Sequence, residues 1–173
     1  MKMNAEELRS IQRPLKDRYR SDPDAALLIH EAHGTLGKDI TVNVSTRNGH
    51  VEAGLHPYTG GTGEQSCSAD MLLEALVGCA GVTLGSVSTA MGIDIRHCAI
   101  HAEGELDYRG TMAVSKEVPV GFRSIRLIFI IDSDADDEKL QTLVNLTERY
   151  CVVYQTIVAS TPVLASIVRG QGG

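Results

Sequence analysis

The chain has 173 residues and a net charge of −6; its 43% hydrophobic and 22% charged residues fit one domain, and with no Trp and 4% aromatics the core must be aliphatic. The acidic balance, without a basic stripe carrying interleaved aromatics, excludes a nucleic-acid or anionic-membrane surface, because phosphate binding needs clustered Lys and Arg. The start, Met-Lys-Met-Asn-Ala-Glu-Glu-Leu, has no apolar signal region, and no stretch reads as the roughly 18 to 20 apolar residues of a membrane span, so a cytoplasmic protein is expected.

In chain order, residues 4–21 read as a charged helix, shortened or kinked by Pro14 and ended by Ser21-Asp-Pro-Asp24. Residues 1–25 are therefore expected to be a helical appendage to a domain over 26–173. Residues 26–33 and 39–46 read as strands, the second with Ile40, Val42 and Val44 on one face. Asn48-Gly49 signals a hairpin returning through His50 to Gly54. Residues 55–68 form a Gly/Thr/Ser-rich loop around Thr59-Gly-Gly-Thr-Gly63, which lacks the Lys-Ser/Thr ending of a phosphate-binding loop.

Ser68 is the expected cap of the next helix. From Met71 to Met91 that helix is apolar on nearly all sides and rich in small residues, so it should be buried all round. Strands follow at 93–107 and 123–131, joined by a connection at 110–119. The acidic run Asp132 to Asp137 starts a helix reaching Tyr150, and its charge complements the helix dipole rather than forming a calcium loop. A short helix at 151–160, a closing strand at 162–168 and a fraying end at 170–173 complete the chain. Grouped strands with intervening helices indicate an α+β fold.

Four cysteines in a reducing compartment are more often free, catalytic or metal-bound than structural disulfides. Cys79 lies on the apolar helix and Cys151 at a helix junction, the two settings that a two-cysteine redox centre needs. Taken singly, each could be a small core residue. Cys67, before the helix cap, and Cys98, in a strand, read as incidental. His97 and His101 share one strand face while Cys98 points away, a poor geometry for three metal ligands, and His30 with His33 is no better. No metal and no bound cofactor are expected.

Leu72-Leu-Glu-Ala-Leu-Val-Gly-Cys79 and Glu148-Arg-Tyr-Cys151-Val-Val, in this element order, resemble the OsmC and organic hydroperoxide resistance (Ohr) family over about residues 26–169. The resemblance implies antiparallel sheets wrapped around a buried central helix in an intertwined homodimer. It also implies a peroxidase for small apolar organic hydroperoxides, with Cys79 the peroxidatic and Cys151 the resolving thiol. The reductant it implies is an external dithiol of lipoyl type. In the family a Glu ten residues before the first cysteine and an Arg from the preceding loop activate the thiol. Here the Glu position is Ala69, and residues 55–68 hold no Arg. His56 and Arg47 are the nearest candidate activators in sequence. The missing pair leaves an alternative open: a non-enzymatic ligand-binding or redox-sensing protein on the same scaffold.

Overall fold

The computed structural model describes residues 3–159 and 161–169. Helix α1 spans Ala5–Ser21. Asn4 caps it by accepting from the amides of Glu6 and Glu7, and Glu7 returns a bond to the Asn4 amide. Pro14 sits inside the helix without ending it, and no residue of α1 is buried. A 3-10 turn follows at Pro23–Ala26.

Four strands build the first sheet in the order β1 (His33–Leu36), β2 (Val42–Thr46), β3 (Gly49–Gly54), β4 (Ser66–Cys67). The β1–β2 and β2–β3 pairs are antiparallel, and β3–β4 is parallel. The expected strand over 26–33 does not form: β1 begins where that segment ends. Leu27, Leu28 and Ile29 find no strand partner among the described residues, and Ile29 is 86% exposed. The expected strand from Asp39 is also shorter. Asp39 (φ 54°) and Ile40 (φ 63°) occupy the left-handed region in a turn closed by Gly37 N–H to the Thr41 carbonyl. Ile40 therefore leaves the face it was expected to share with Val42 and Val44, and is 74% exposed. The hairpin forms as read, with Thr46 paired to Gly49 and the positive φ at Gly49.

Helix α2 spans Ser68–Met91, and its cap position is Cys67, not Ser68. Leu76, Ala80, Leu84 and Ser88, spaced by four, form its buried face. The expectation of all-round burial fails within one chain, since Val82 is 77% exposed and Ala75, Gly78 and Gly85 face outward. The expectation that no segment has the makings of a membrane span fails as well: by length and composition alone, these 24 residues could cross one. In the fold, however, the buried face packs against α4, α5 and β5.

The second sheet is an antiparallel ribbon of β5 (His97–Glu105) and β6 (Ser124–Asp132). Its alternation places Ala102, Ile125, Leu127 and Phe129 against α2, while Glu103–Arg126 and Glu105–Arg123 pair on the outer face. A short helix, α3 (Tyr108–Thr111), runs into the start of the expected connection. Helix α4 (Asp137–Tyr150) starts as its acidic sequence indicates, with the Asp136 carboxylate accepting from the Lys139 amide at 2.8 Å. Helix α5 is Val152–Val158. Residues 162–168 form no strand: they run exposed, with Leu164 at 95%. Residues 170–173 lie outside the described residues, as does Ser160.

Candidate functional site

Cys79 lies on the α2 flank beside buried Ala80 and packs onto a cluster of Leu76, Ala80 and Cys151. Cys151 ends one helix and begins the next. Its amide donates to the Thr147 carbonyl at 2.9 Å, closing α4, and its carbonyl accepts from the Gln155 amide at 2.9 Å, opening α5. Its extended backbone (φ −75°, ψ 111°) makes the bend between them. Leu143, Thr147 and Cys151, one turn apart, are each 0% exposed, and this stripe anchors the bend against α2.

The fold thus brings together two sulfurs separated by the whole β5–β6 ribbon and α4. They lie within hydrogen-bond reach, with both cysteines free thiols. Their ionisation is opposed. Burial pushes Cys79 up, but donors outweigh it and bring the thiol below its ordinary value: the Val153 amide, the Cys151 thiol, the Val152 amide and the Thr83 hydroxyl. Burial also pushes Cys151 up; the Tyr154 amide, 3.5 Å from its sulfur, opposes this without reversing it. The hydrogen bond to Cys79 and the charge there add to the rise. Of the two, Cys79 is the readier thiolate.

The amides acting on the sulfurs are those of the first turn of α5. Such amides have no partner within a helix and are free to turn to an outside acceptor. Tyr154 serves Cys151, Val152 serves Cys79, and Val153 acts on both.

His56 and Arg47 are not brought to Cys79 within the chain. The His56 Nδ1 accepts from the Tyr58 amide at 3.1 Å, and its ring stacks on Tyr108 with centroids 5.1 Å apart. Tyr58 completes the cluster edge-on to both rings. Arg47 is exposed at the hairpin tip and has no hydrogen-bond or ion-pair partner among the described residues. Ala69 lies in the first turn of α2 and brings no charge.

Reading the sequence missed Thr83, Val152 and Val153. Thr83 was accessible in principle, because position i+4 on a helix shares a face with position i. The two amides were not, because every residue but Pro has one and only the tertiary fold aims them.

His97 and His101 are exposed on β5, and Cys98 is half-buried with burial pushing its thiol up. Among the described residues, no three His, Cys, Asp or Glu side chains are grouped to hold a metal ion. An apolar cleft of about 220 Å³ adjoins the Cys151 side of the cluster, lined by Leu76, Ile125, Leu127, Tyr154 and Ile157 with Glu148. A larger hollow of about 690 Å³ runs along the charged face of α1 and contains no thiol.

Solved structures share this architecture. An OsmC-like protein from Mycoplasma pneumoniae matches with a TM-score of 0.66 at 16% identity, over 77% of this chain and 89% of that one. The organic hydroperoxide resistance protein OsmC from Legionella pneumophila matches at 0.61 and 18% identity, over 77% and 91%. The organic hydroperoxide resistance protein OhrB of Bacillus subtilis matches at 0.52 and 19% identity, over 78% and 94%. At such identities these likenesses speak for the fold. No curated protein sequence matches the chain. The family model for OsmC-like proteins matches residues 61–165, a span that holds α2, both thiols and the ribbon between them and covers more than half of the 173 residues. The chain belongs to the OsmC-like protein family.

Proposed function

We propose that the protein is a thiol peroxidase that reduces organic hydroperoxides through Cys79 and Cys151. The observation that carries this reading is the packing of Cys79 against Cys151, with ionisation favoured at Cys79 over Cys151. The Cys79 thiolate attacks the terminal oxygen of ROOH. The O–O bond breaks, the leaving alkoxide takes a proton to become the alcohol, and Cys79 is oxidised to the sulfenic acid. The Cys151 sulfur then displaces hydroxide from that sulfenic acid, and water and a disulfide result. An external dithiol of lipoyl type restores both thiols by exchange. The apolar cleft beside the cluster favours substrates with a small apolar body over hydrogen peroxide.

The working unit in this reading is an intertwined homodimer in the cytoplasm. The single chain exposes 13,499 Å², where a compact monomer of 18.6 kDa exposes about 8,200 Å². Apolar side chains that a second copy could cover are exposed in the 27–29 segment, at Val82 on the outer side of α2, and at Val163, Leu164, Ile167 and Val168.

A second reading rests on the donors to Cys79, all of which are uncharged, while the family's Glu position is Ala69. It is a ligand-binding or redox-sensing protein without turnover. Adding a low concentration of cumene hydroperoxide and titrating thiols separates the two. Rapid loss of two thiols per chain, abolished in Cys79→Ser, supports the peroxidase. Loss no faster than that of free cysteine rejects it in favour of the second reading.

A further inference from the structure

Among the described residues, the donors to the Cys79 sulfur are all neutral groups. One of them is a side chain. Thr83 stands one helical turn beyond Cys79 on α2, half-buried, and its Oγ1 donates to the Cys79 carbonyl at 2.8 Å. That carbonyl also lies where the helix supplies it with the Thr83 amide, four residues on, so the hydroxyl bond to it is a second and dispensable one. Residues four apart share a helix face, which puts the same hydroxyl within reach of the Cys79 sulfur. A hydroxyl has a single proton and rotates freely to serve either acceptor.

Resting on the peroxidase reading above, we propose that Thr83 is a thiolate-stabilising residue of this site, its hydroxyl turning from the Cys79 carbonyl to the Cys79 sulfur when that thiol ionises. The thiol proton leaves to solvent; the Thr83 O–H bond rotates and does not break. The gain is that of a hydrogen bond to a charged acceptor over one to a carbonyl that is already satisfied. The arrangement supplies a donor from the cysteine's own helix at a site without the family's Arg and Glu pair.

The test uses the full-length chain and reads the pH dependence of iodoacetamide alkylation at Cys79, followed by mass spectrometry of the peptide that carries it. Thr83→Val keeps the side-chain shape and removes the hydroxyl; Thr83→Ser keeps the hydroxyl. The expected result is a higher midpoint pH and a several-fold slower reaction at neutral pH in Thr83→Val, with Thr83→Ser close to the parent. An unchanged midpoint in Thr83→Val, or a Thr83→Ser variant behaving like Thr83→Val, overturns the proposal. If circular dichroism shows that Thr83→Val has lost its helix content, Thr83→Ala is judged by the same two outcomes. Alkylation needs no peroxide. A parent protein that fails to consume cumene hydroperoxide therefore rejects the peroxidase reading and leaves the Thr83 comparison readable.

Discussion

Cys79 on α2 packs against Cys151 at the α4–α5 bend, and ionisation is favoured at Cys79 and disfavoured at Cys151. That asymmetry separates an attacking thiolate from a thiol that waits. Replacing each partner should therefore fail differently. Cys79→Ser should abolish hydroperoxide consumption. Cys151→Ser should still react once and stop at the sulfenic acid, which dimedone labels on the Cys79 peptide. Equal dimedone labelling of both cysteines would contradict the assignment.

The rate of reaction with hydroperoxide should follow the Cys79 thiolate. It should rise with pH and level off, with its midpoint below the ordinary thiol value of 9.0. Cys151→Ala removes one of the donors and should move that midpoint up. Stability has opposite signs at the two sulfurs. The lowered Cys79 contributes stability that is present above the ordinary thiol pKa and is lost as pH falls through its folded value. The raised Cys151 contributes stability that is present below the ordinary value and is lost as pH rises through its folded one. Stopped-flow rates across pH check the first claim, and a midpoint at or above that of free cysteine would refute it.

Leu143 is fully buried on α4, at the start of the stripe that holds Cys151. Leu143→Ala should cost about 2–5 kcal/mol in unfolding free energy and loosen the α4–α5 bend. Urea denaturation reads the stability, and a slower disulfide-forming step reads the bend. A loss below about 0.5 kcal/mol would mean that the stripe is not packed as described.

The loop between β3 and β4 has one position that admits no side chain. A Cβ at Gly61 would stand 1.7 Å from the Leu55 carbonyl oxygen, and the Gly61 amide is tied to the His56 carbonyl at 3.1 Å. Backbone must move to accept Gly61→Ala, so a destabilisation of about 1–3 kcal/mol is expected. Thermal unfolding measures it.

Much of this was legible in the sequence because the pattern was local. The acidic cap at Asp136, the Asn48-Gly49 hairpin, the α2 helix and the alternation of β6 each depend on residues within a few positions. Leu27 to Ile29 and Val163 to Val168 have strand chemistry too, but a strand also needs a partner edge, and they pair with none among the described residues. Ile40 has strand propensity and is overridden by the turn its neighbours make. At the site, both thiols could be named from their surroundings. Their donors could not, because two are backbone amides aimed by the α4–α5 bend. His56 was near in sequence only; its ring is committed to Tyr58 and Tyr108.

Light scattering on the purified protein should give twice 18.6 kDa at micromolar concentration. Shortening the chain after Ala159, which removes the exposed apolar residues 163–168, should weaken that assembly. A monomer in both cases would refute the intertwined arrangement while leaving the thiol chemistry intact.

The most direct measurement is peptide mapping of the protein after one equivalent of cumene hydroperoxide and no reductant. The expected product is a single species lighter by two hydrogens, with Cys79 and Cys151 in one disulfide-linked peptide pair and Cys67 and Cys98 still free. Oxidation that leaves Cys151 as a thiol, or that links Cys79 to another cysteine, would contradict a redox centre built from these two sulfurs.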